Sequence, residues 1–240
     1  MTDSTSLLVL FDIDGTLILS GRAGVRGMNA AFRRLYGADG VLDTVPIAGR
    51  TDRAIVGDGL SSIGLAPTDP EIMRLRDAYL EELPLELPRP AGEPSCVLPG
   101  VGALLDALED LPGVHVGLLT GNFERGAELK LTHFDLWRRF SFGAFGDHHL
   151  DRRALLPVAI ERACAAGLPA CPPERVVIIG DTPLDVDCAR THGARALAVA
   201  TGHYDTTALE ATGADLVVPT LTDTSRLVRW TVTPPLSPSR

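Results

Sequence analysis

Five short apolar runs, each bounded by turn residues, constrain the fold of this chain more than any other feature. The runs are LLVLF at 7–11, VHVGLLT at 114–120, VVIIG at 176–180, RALAVAT at 195–201 and DLVV at 215–218. Amphipathic stretches separate most of them. Strands that are apolar on both faces and alternate with helices are typical of a parallel sheet covered on both sides. We therefore predict a doubly wound α/β fold with a Rossmann-like parallel sheet.

The interval 20–94 interrupts this alternation, because it contains helical patterns and no run that predicts a buried strand. Apolar residues recur at helical spacing in two stretches, at Val25, Met28, Phe32 and Leu35 and again at Ile72, Leu75, Tyr79 and Leu83. A proline-rich segment, 85–95, is typical of an extended return linker. The pattern predicts a core formed by 1–19 and 95–229, a helical insertion at 20–94 and a flexible tail at 230–240.

Charge and composition exclude several classes of partner. The net charge of −9 opposes binding to a nucleic-acid backbone, which requires a basic face. No apolar stretch approaches the ~20 residues that a membrane helix needs, and the amino terminus lacks a basic region before its apolar run. The four cysteines form no Cys-x-x-Cys pair, so we interpret them as small buried apolar residues in a reducing compartment. We expect a cytoplasmic protein without a membrane or nucleic-acid partner.

Two carboxylates follow the first apolar run, at Asp12 and Asp14. In an extended chain residues i and i+2 point the same way, so both are expected at the carboxyl end of the first strand, where open α/β sheets bind ligands. Gly15 lets the backbone turn there. A turn cap and a salt bridge would also account for one such pair on its own. Further acidic residues at other strand ends favour a functional site instead.

A second acidic pair, Asp181 and Asp185, follows the run at 176–180, and the run at 114–120 leads into Thr120, Gly121 and Asn122. A hydroxyl and free amides at the start of a helix form a phosphate site. Carboxylates without cysteine or histidine suit Mg²⁺ rather than zinc. Together these residues indicate phosphoryl transfer.

The motifs DIDGT at 12–16, LLTGN at 118–122, a following arginine and GDTPLD at 180–185, in this order, resemble the haloacid dehalogenase-like superfamily. The resemblance extends from Leu7 to about Leu227 and identifies the insertion with that family's α-helical cap. It implies catalytic roles for Asp12 as nucleophile and Asp14 as general acid and base. In these roles Asp12 attacks phosphorus and Asp14 holds a proton for the leaving alkoxide, which requires the pKa of Asp14 to be raised above about 3.9. It also implies a Mg²⁺ site, with ligands from Asp12, the Asp14 backbone carbonyl and Asp181, supported by Asp185.

For phosphate binding, the resemblance implies Thr120, Gly121, Asn122 and a basic residue that is usually lysine. The basic candidates here are Arg152 and the alternative Arg153, and we favour Arg152. Lys130 lies ten residues beyond Thr120, about 15 Å along a helix, and is interpreted as a surface or packing residue.

Within the predicted cap, Arg50 and Asp52 resemble a segment that faces the active site in related enzymes, although a solvated loop is an alternative. Arg50 is expected to select an anionic leaving group, with Asp52 and Arg22 as further specificity candidates. The leading hypothesis is a Mg²⁺-dependent phosphatase for a small phosphorylated metabolite, similar to phosphoglycolate phosphatases. A sugar-phosphate mutase similar to β-phosphoglucomutase is the alternative. A dehalogenase or a noncatalytic binding module ranks lower, and we expect a monomer or homodimer.

Overall fold

The computed structural model of the chain describes residues 6–90 and 92–233. A six-stranded parallel sheet forms its centre, in the order β5-β4-β1-β6-β7-β8. Its strands are β1 (Leu7–Phe11), β4 (Val114–Leu119), β5 (Gly143–Ala144), β6 (Val176–Gly180), β7 (Arg195–Val199) and β8 (Leu216–Val218). The predicted doubly wound α/β fold is confirmed. The chain adds β4 and β5 on one side of β1 and then β6, β7 and β8 on the other side. The topological switch point therefore lies beside β1, where open sheets bind ligands.

Alternate residues of β1 pack into two separate apolar cores, one on each face of the sheet. Leu7, Val9 and Phe11 belong to one core, and Leu8 and Leu10 to the other. The first core also receives α4 (Val101–Glu109), α5 (Glu124–His133) and α9 (Thr224–Val232). The second receives α6 (Leu155–Ala165), α7 (Pro183–Thr191) and α8 (Thr206–Glu210). Burial on both faces explains why the strands are almost continuously apolar.

A helical unit separates β1 from the rest of the sheet. It contains α1 (Ala23–Tyr36), α2 (Asp52–Ser62) and α3 (Asp69–Glu86). Its apolar core includes Met28, Phe32, Leu75 and Tyr79. The unit is entered through β2 (Ile18–Ser20) and left through β3 (Ser95–Val97), which pair as an antiparallel ribbon. This ribbon is a short stalk, and we call the helical unit above it the cap.

Backbone and side-chain hydrogen bonds hold the cap against the sheet domain. The Asp52 amide donates to the Gly121 carbonyl at 2.7 Å, and Arg53 Nη1 donates to the Asp147 carbonyl at 3.2 Å. Gly121 must be glycine, because a Cβ there would lie 2.1 Å from the Arg50 carbonyl oxygen. The structure therefore shows a closed arrangement of cap and sheet domain.

Several local predictions are wrong. The tail does not begin at 230, because α9 extends to Val232 and Arg195 stacks 4.8 Å from the ring of Trp230. The rest of the predicted tail, 234–240, lies outside the described residues. The return linker begins later than predicted, since α3 continues to Glu86. Of the cysteines, two are buried, as predicted, whereas Cys96 and Cys164 are exposed.

Within the described ranges, no helix is long and apolar enough to cross a membrane.

Candidate active site

Three neighbouring strands deliver polar side chains to the switch point. Asp12 follows β1, Thr120 follows β4, and Asp181 follows β6. All three are buried and line one cavity. Because β1 lies between β4 and β6, the Asp12 carboxylate occupies the centre of this arrangement.

Asp12 is a buried carboxylate with one cationic contact. Arg152 Nη2 lies 3.1 Å from Asp12 Oδ1. Burial raises the pKa of Asp12 to about 6; Arg152 lowers it, and the nearby Asp185 raises it. Arg152 therefore only partly offsets the cost of keeping Asp12 charged.

Asp12, Asp181 and Asp185 form a cluster in which one oxygen from each lies within 4.8 Å of the others. Burial, together with the charges of Asp12 and Asp185, raises the pKa of Asp181 well above its ordinary value. Gly15 turns the chain beside this cluster with a φ of +82°, and a Cβ there would lie 2.3 Å from Asp181 Oδ2. Three buried carboxylates with a single arginine fit a hard divalent cation, because such a cation would compensate the remaining negative charge.

Asp185 also stabilises the loop that carries Asp181. Its Oδ2 accepts a hydrogen bond from the Thr182 amide at 3.1 Å, and the Thr182 side chain accepts one from the Asp185 amide, so that the two residues form a capping box at the start of α7. The Thr182 hydroxyl also donates to Oδ2 at 2.7 Å. Asp185 Oδ1 accepts from Arg152. Asp185 thus supports the cluster from the first turn of a helix.

The structure distinguishes the two arginine candidates. Arg152 is 4% exposed and contacts Asp12, Asp185 and the Leu119 carbonyl. Arg153, in contrast, has a half-exposed side chain that pairs with Asp151 at 2.8 Å on the surface. Only Arg152 of the two reaches the carboxylate cluster.

Lys130 lies inside the site, contrary to the prediction from the sequence. It is 5% exposed, and its Nζ lies 2.6 Å from both Asp14 Oδ2 and Asn122 Oδ1. Asn122 Nδ2 in turn donates to Asp14 Oδ2 at 2.9 Å and to Thr120 Oγ1 at 2.8 Å. The expected surface or packing role of Lys130 is therefore wrong, and the Asn122 side chain, predicted to bind phosphate, links Lys130, Asp14 and Thr120 in this structure.

This cluster changes the expected ionisation of Asp14. Burial raises the pKa of Asp14, but the Lys130 ammonium and hydrogen bonds from Lys130 and Asn122 lower it by more, so the pKa lies below its ordinary value. The predicted rise is wrong in this state, because the sequence reasoning did not place a cation beside Asp14. Oδ1 keeps a single long hydrogen bond, 3.4 Å from Ser20 Oγ.

The amides at the start of α5 are less available than predicted. The Phe123 amide donates to Asp52 Oδ2 at 2.9 Å, and the Glu124 amide donates to Asp147 Oδ2 at 2.7 Å. Thr120 and Gly121 line the cavity just before these positions. A phosphate site at this loop would therefore rest on Thr120 and the Gly121 amide rather than on the helix.

The three predicted specificity residues of the cap all line the cavity, in different ways. Asp52 is 7% exposed, and burial raises its pKa to about 7. Arg50 pairs with Asp58 at 2.7 Å and donates to the Pro46 carbonyl at 2.9 Å. Arg22 is exposed, in a left-handed backbone conformation with a φ of 58°.

The cavity that contains these residues has a volume of about 640 Å³ and extends from the carboxylate cluster into the cap. A buried acidic cluster and an arginine at the switch point of a doubly wound sheet, covered by a helical cap, define a capped α/β enzyme. The sequence comparison places it further: residues 9–190 match the haloacid dehalogenase-like hydrolases, and the chain belongs to this family.

Solved structures with the same fold include three from bacteria. A protein described as a predicted phosphoglycolate phosphatase from Haemophilus somnus aligns with a TM-score of 0.65 and 18% identity, covering 94% of this chain and 99% of that one. CbbY from Rhodobacter sphaeroides in complex with phosphate aligns with a TM-score of 0.66 and 19% identity, covering 93% of this chain and 96% of that one. β-Phosphoglucomutase from Clostridium difficile aligns with a TM-score of 0.68 and 14% identity, covering 95% of this chain and 97% of that one. At these identities the likeness shows the fold alone.

A sequence relative is the tyrosine-protein kinase PtkA of Mycobacterium tuberculosis, 30% identical over 201 residues. The alignment covers 82% of this chain and 62% of the relative. The chain thus spans less than two thirds of the length of that protein.

Proposed function

We propose that this chain is a Mg²⁺-dependent phosphomonoester hydrolase that acts on a small phosphorylated metabolite through an aspartyl-phosphate on Asp12. The observation that carries the proposal is the position of Asp12, which lies at the end of the central strand, inside a buried cluster of carboxylates and beside Arg152. A nucleophile in this position can split a slow hydrolysis into two steps, transfer to Asp12 and hydrolysis of the acyl phosphate.

Arg152, Thr120 and Gly121 would hold the phosphoryl group. Arg152 presents a cation 3.1 Å from the attacking carboxylate, and a guanidinium can hydrogen-bond two phosphoryl oxygens at once. Its Nε atom is buried without a hydrogen-bond partner among the described residues. The Thr120 hydroxyl accepts from Asn122 and can donate its own proton to a phosphoryl oxygen.

Asp14 would serve as general acid and base. Its Oδ2 is held by Lys130 and Asn122, which leaves Oδ1 for proton transfer. A dianionic phosphate bound beside Asp14 raises the pKa of its carboxyl group, because like charges disfavour ionisation. Asp14 can then deliver a proton to the leaving alkoxide and later accept one from the attacking water.

Asp12, Asp181, the supporting Asp185 and the backbone carbonyl of Asp14 would hold Mg²⁺. When bound, the ion would offset the charge of the phosphoryl group and of the carboxylate cluster. The buried, all-oxygen donor set supports this assignment.

The test is hydrolysis of an aryl phosphate by the purified chain with Mg²⁺, with excess chelator, and with Asp12→Asn. We expect Mg²⁺-dependent release of phosphate that is lost in the other two conditions. Turnover in excess chelator would contradict the metal assignment, and wild-type turnover by Asp12→Asn would contradict the nucleophile. Arg125→Met, an exposed change on α5, is the matched control and should retain activity.

The mutase alternative differs in the fate of the phosphoryl group. A mutase would convert a sugar monophosphate into its isomer without releasing phosphate in proportion to turnover. Measuring both products from one reaction with a hexose phosphate distinguishes the two functions, and we expect phosphate release.

A second candidate function is phosphoryl transfer to a tyrosine hydroxyl. The 30% identity with the tyrosine-protein kinase PtkA favours it, and that identity exceeds the 14–19% of the three solved structures above. The discriminating assay supplies ATP and a tyrosine peptide with Mg²⁺. Phosphopeptide formation that requires Asp12 or Asp14 would support the kinase, whereas hydrolysis of phosphate esters without phosphopeptide supports the proposed phosphatase.

A further inference from the structure

Part of the wall of the cavity is apolar. It is formed by cap side chains, namely Val25, Met28, Leu42, Val45, Ile47 and Ile55. Met28, Leu42 and Ile55 belong to the buried core of the cap, while the other three pack against that core and remain half-buried. The cap core thus continues to the cavity surface and is incompletely covered there.

Two of the cations that line the cavity are already engaged in ion pairs. Arg50 pairs with Asp58 at 2.7 Å, and Lys130, from the sheet domain, is engaged by Asp14 at 2.6 Å. Arg22 lines the cavity where it is exposed to solvent, as does Asp43, which carries the opposite charge. A carboxylate or second phosphate against this wall would lose hydration, and to gain an ion pair it would have to compete with Asp58 for Arg50 or extend to the solvent-exposed Arg22. The expectation that Arg50 selects an anionic leaving group is not supported by these contacts.

The size of the cavity agrees with its chemistry. A volume of about 640 Å³ falls in the range of about 300–1,000 Å³ that is typical of sites for drug-sized ligands. A two-carbon acid phosphate would leave most of the apolar wall uncovered. A hydrocarbon group attached to the phosphate ester would cover it.

The apolar wall is also coupled to the closed cap. Val45 and Ile47 lie on the segment that leads into Gly49 and Asp52. The Gly49 carbonyl accepts from Arg152 Nη1 at 3.0 Å, and Asp52 binds the Phe123 amide at 2.9 Å. A group that covers Val45 and Ile47 therefore contacts the segment that closes the cap over the carboxylates.

We propose that the substrate is a phosphomonoester of an apolar alcohol, whose hydrocarbon part lies against Val25, Val45 and Ile47 in the cap. The proposal rests on the phosphatase function proposed above and specifies its substrate class. Binding there removes apolar surface from water on both the substrate and the cap.

The experiment measures kcat/KM for methyl, butyl and hexyl phosphate with the full chain and Mg²⁺. The pKa of the leaving alcohol hardly changes along this series, so differences in kcat/KM report contact with the hydrocarbon. We expect kcat/KM to increase about threefold to fourfold for each added methylene, the factor that corresponds to burial of one methylene group. Phosphoglycolate should react more slowly than butyl phosphate. A flat series, or phosphoglycolate as the best substrate, would overturn the proposal.

Two matched variants test the location. Ile47 and Ile63 are both half-buried isoleucines packed on the cap core, and only Ile47 of the pair lines the cavity. Ile47→Asn should lower the hexyl-to-methyl ratio of kcat/KM about tenfold or more, whereas Ile63→Asn should leave that ratio unchanged. Equal effects of the two variants would show that the wall is not the binding surface.

A binding measurement separates this inference from the proposed function. Calorimetry with methylphosphonate and hexylphosphonate needs no turnover. If hexylphosphonate binds more tightly than methylphosphonate and this difference depends on Ile47, the apolar site is supported even when no ester is hydrolysed. The absence of hydrolysis would then contradict only the proposed phosphatase activity. Hydrolysis of esters without any preference for the longer chain, in turnover and in binding, contradicts the apolar site alone.

Discussion

Replacing Lys130 by methionine should impair catalysis while changing stability little. The substitution removes the ammonium that holds Asp14 and keeps an unbranched apolar stem. Lys130 Nζ donates to Asp14 Oδ2 and Asn122 Oδ1, both at 2.6 Å, so the variant loses two hydrogen bonds in the middle of the site.

Opposing terms determine the stability change. Hydrogen bonds that involve a charged group contribute about 1.5–3 kcal/mol each, so the variant loses roughly 3–6 kcal/mol. Burial of an ammonium costs several kcal/mol, and the variant avoids this cost. The Asp14 side chain is 41% exposed and can be partly hydrated after its partner is removed, which limits the cost of leaving its charge unpaired. We expect the free energy of unfolding at pH 7 to change by less than about 2 kcal/mol.

The pH dependence of that change has a defined sign. The pKa of Asp14 is lowered from 3.8 on folding, so its contribution is present above that pH and is lost as the pH falls through the folded-state pKa. The pKa of Lys130 is raised from 10.5, because Asp14 and Asp52 outweigh burial, so its contribution is present below that pH and lost at higher pH. Chemical denaturation should therefore show that the wild type loses stability relative to Lys130→Met below about pH 4.

The activity assay compares alkyl and aryl phosphates. A positioned general acid contributes about 10²–10⁴-fold to rate, so we expect kcat on an alkyl phosphate to fall at least about 100-fold. An aryl phosphate, whose leaving group needs less protonation, should be affected less. Arg125→Met, also on α5, removes only an exposed pair with Glu128 and serves as the control. Full activity of Lys130→Met on the alkyl phosphate, or equal losses on both substrates, would refute the assigned positioning of Asp14.

Two further predictions concern the arginine pair and the cap. Arg152→Ala should reduce kcat for an aryl phosphate by about 100-fold or more. Arg153→Ala removes only a half-exposed surface pair, so its kcat should stay within a few fold of the wild-type value. The reverse ranking in steady-state kinetics would contradict the assignment of Arg152. Burial raises the pKa of Asp52 from 3.8 to about 7, so folding is disfavoured as the pH rises between these values. Asp52→Asn should therefore gain stability relative to wild type between pH 4 and pH 8, by at most about 4 kcal/mol at about 1.36 kcal/mol per pKa unit. Parallel pH profiles of denaturation for the two proteins would contradict this cause.

The sheet was predictable wherever burial on both faces leaves a continuous apolar run. Each of the five runs forms a strand of the main sheet. The strand Gly143–Ala144 has two residues, and the stalk strands Ile18–Ser20 and Ser95–Val97 have three each. Such short segments carry no periodicity, and only their pairing partners in the folded chain define them.

The prediction for Lys130 was wrong because its distance along the helix was counted from Thr120, which precedes the helix. Helix α5 begins at Glu124, so Lys130 lies six residues into the helix, about 9 Å along its axis. A long helical side chain points back toward the amino terminus of its helix, which brings Nζ to Asn122. One signal was available, since Lys130 is the sole lysine among 22 basic residues.

The identity of the basic residue was open from sequence because Arg152 and Arg153 are adjacent. Their short helical turn directs one side chain to the carboxylates and the other to the surface. The contact of Asp52 with the Phe123 amide joins residues 71 positions apart, and no local pattern encodes it.

Formation of a covalent phosphoenzyme at Asp12 is the decisive test of the proposed nucleophile. The chain is mixed with radiolabelled phosphate ester and Mg²⁺, quenched in acid within a single turnover, and digested for mass spectrometry. We expect acid-stable label that hydroxylamine releases, located on the peptide that contains Asp12 and absent from Asp12→Asn. Turnover of the same substrate with no label on that peptide, or with label retained by Asp12→Asn, would contradict the assignment of Asp12.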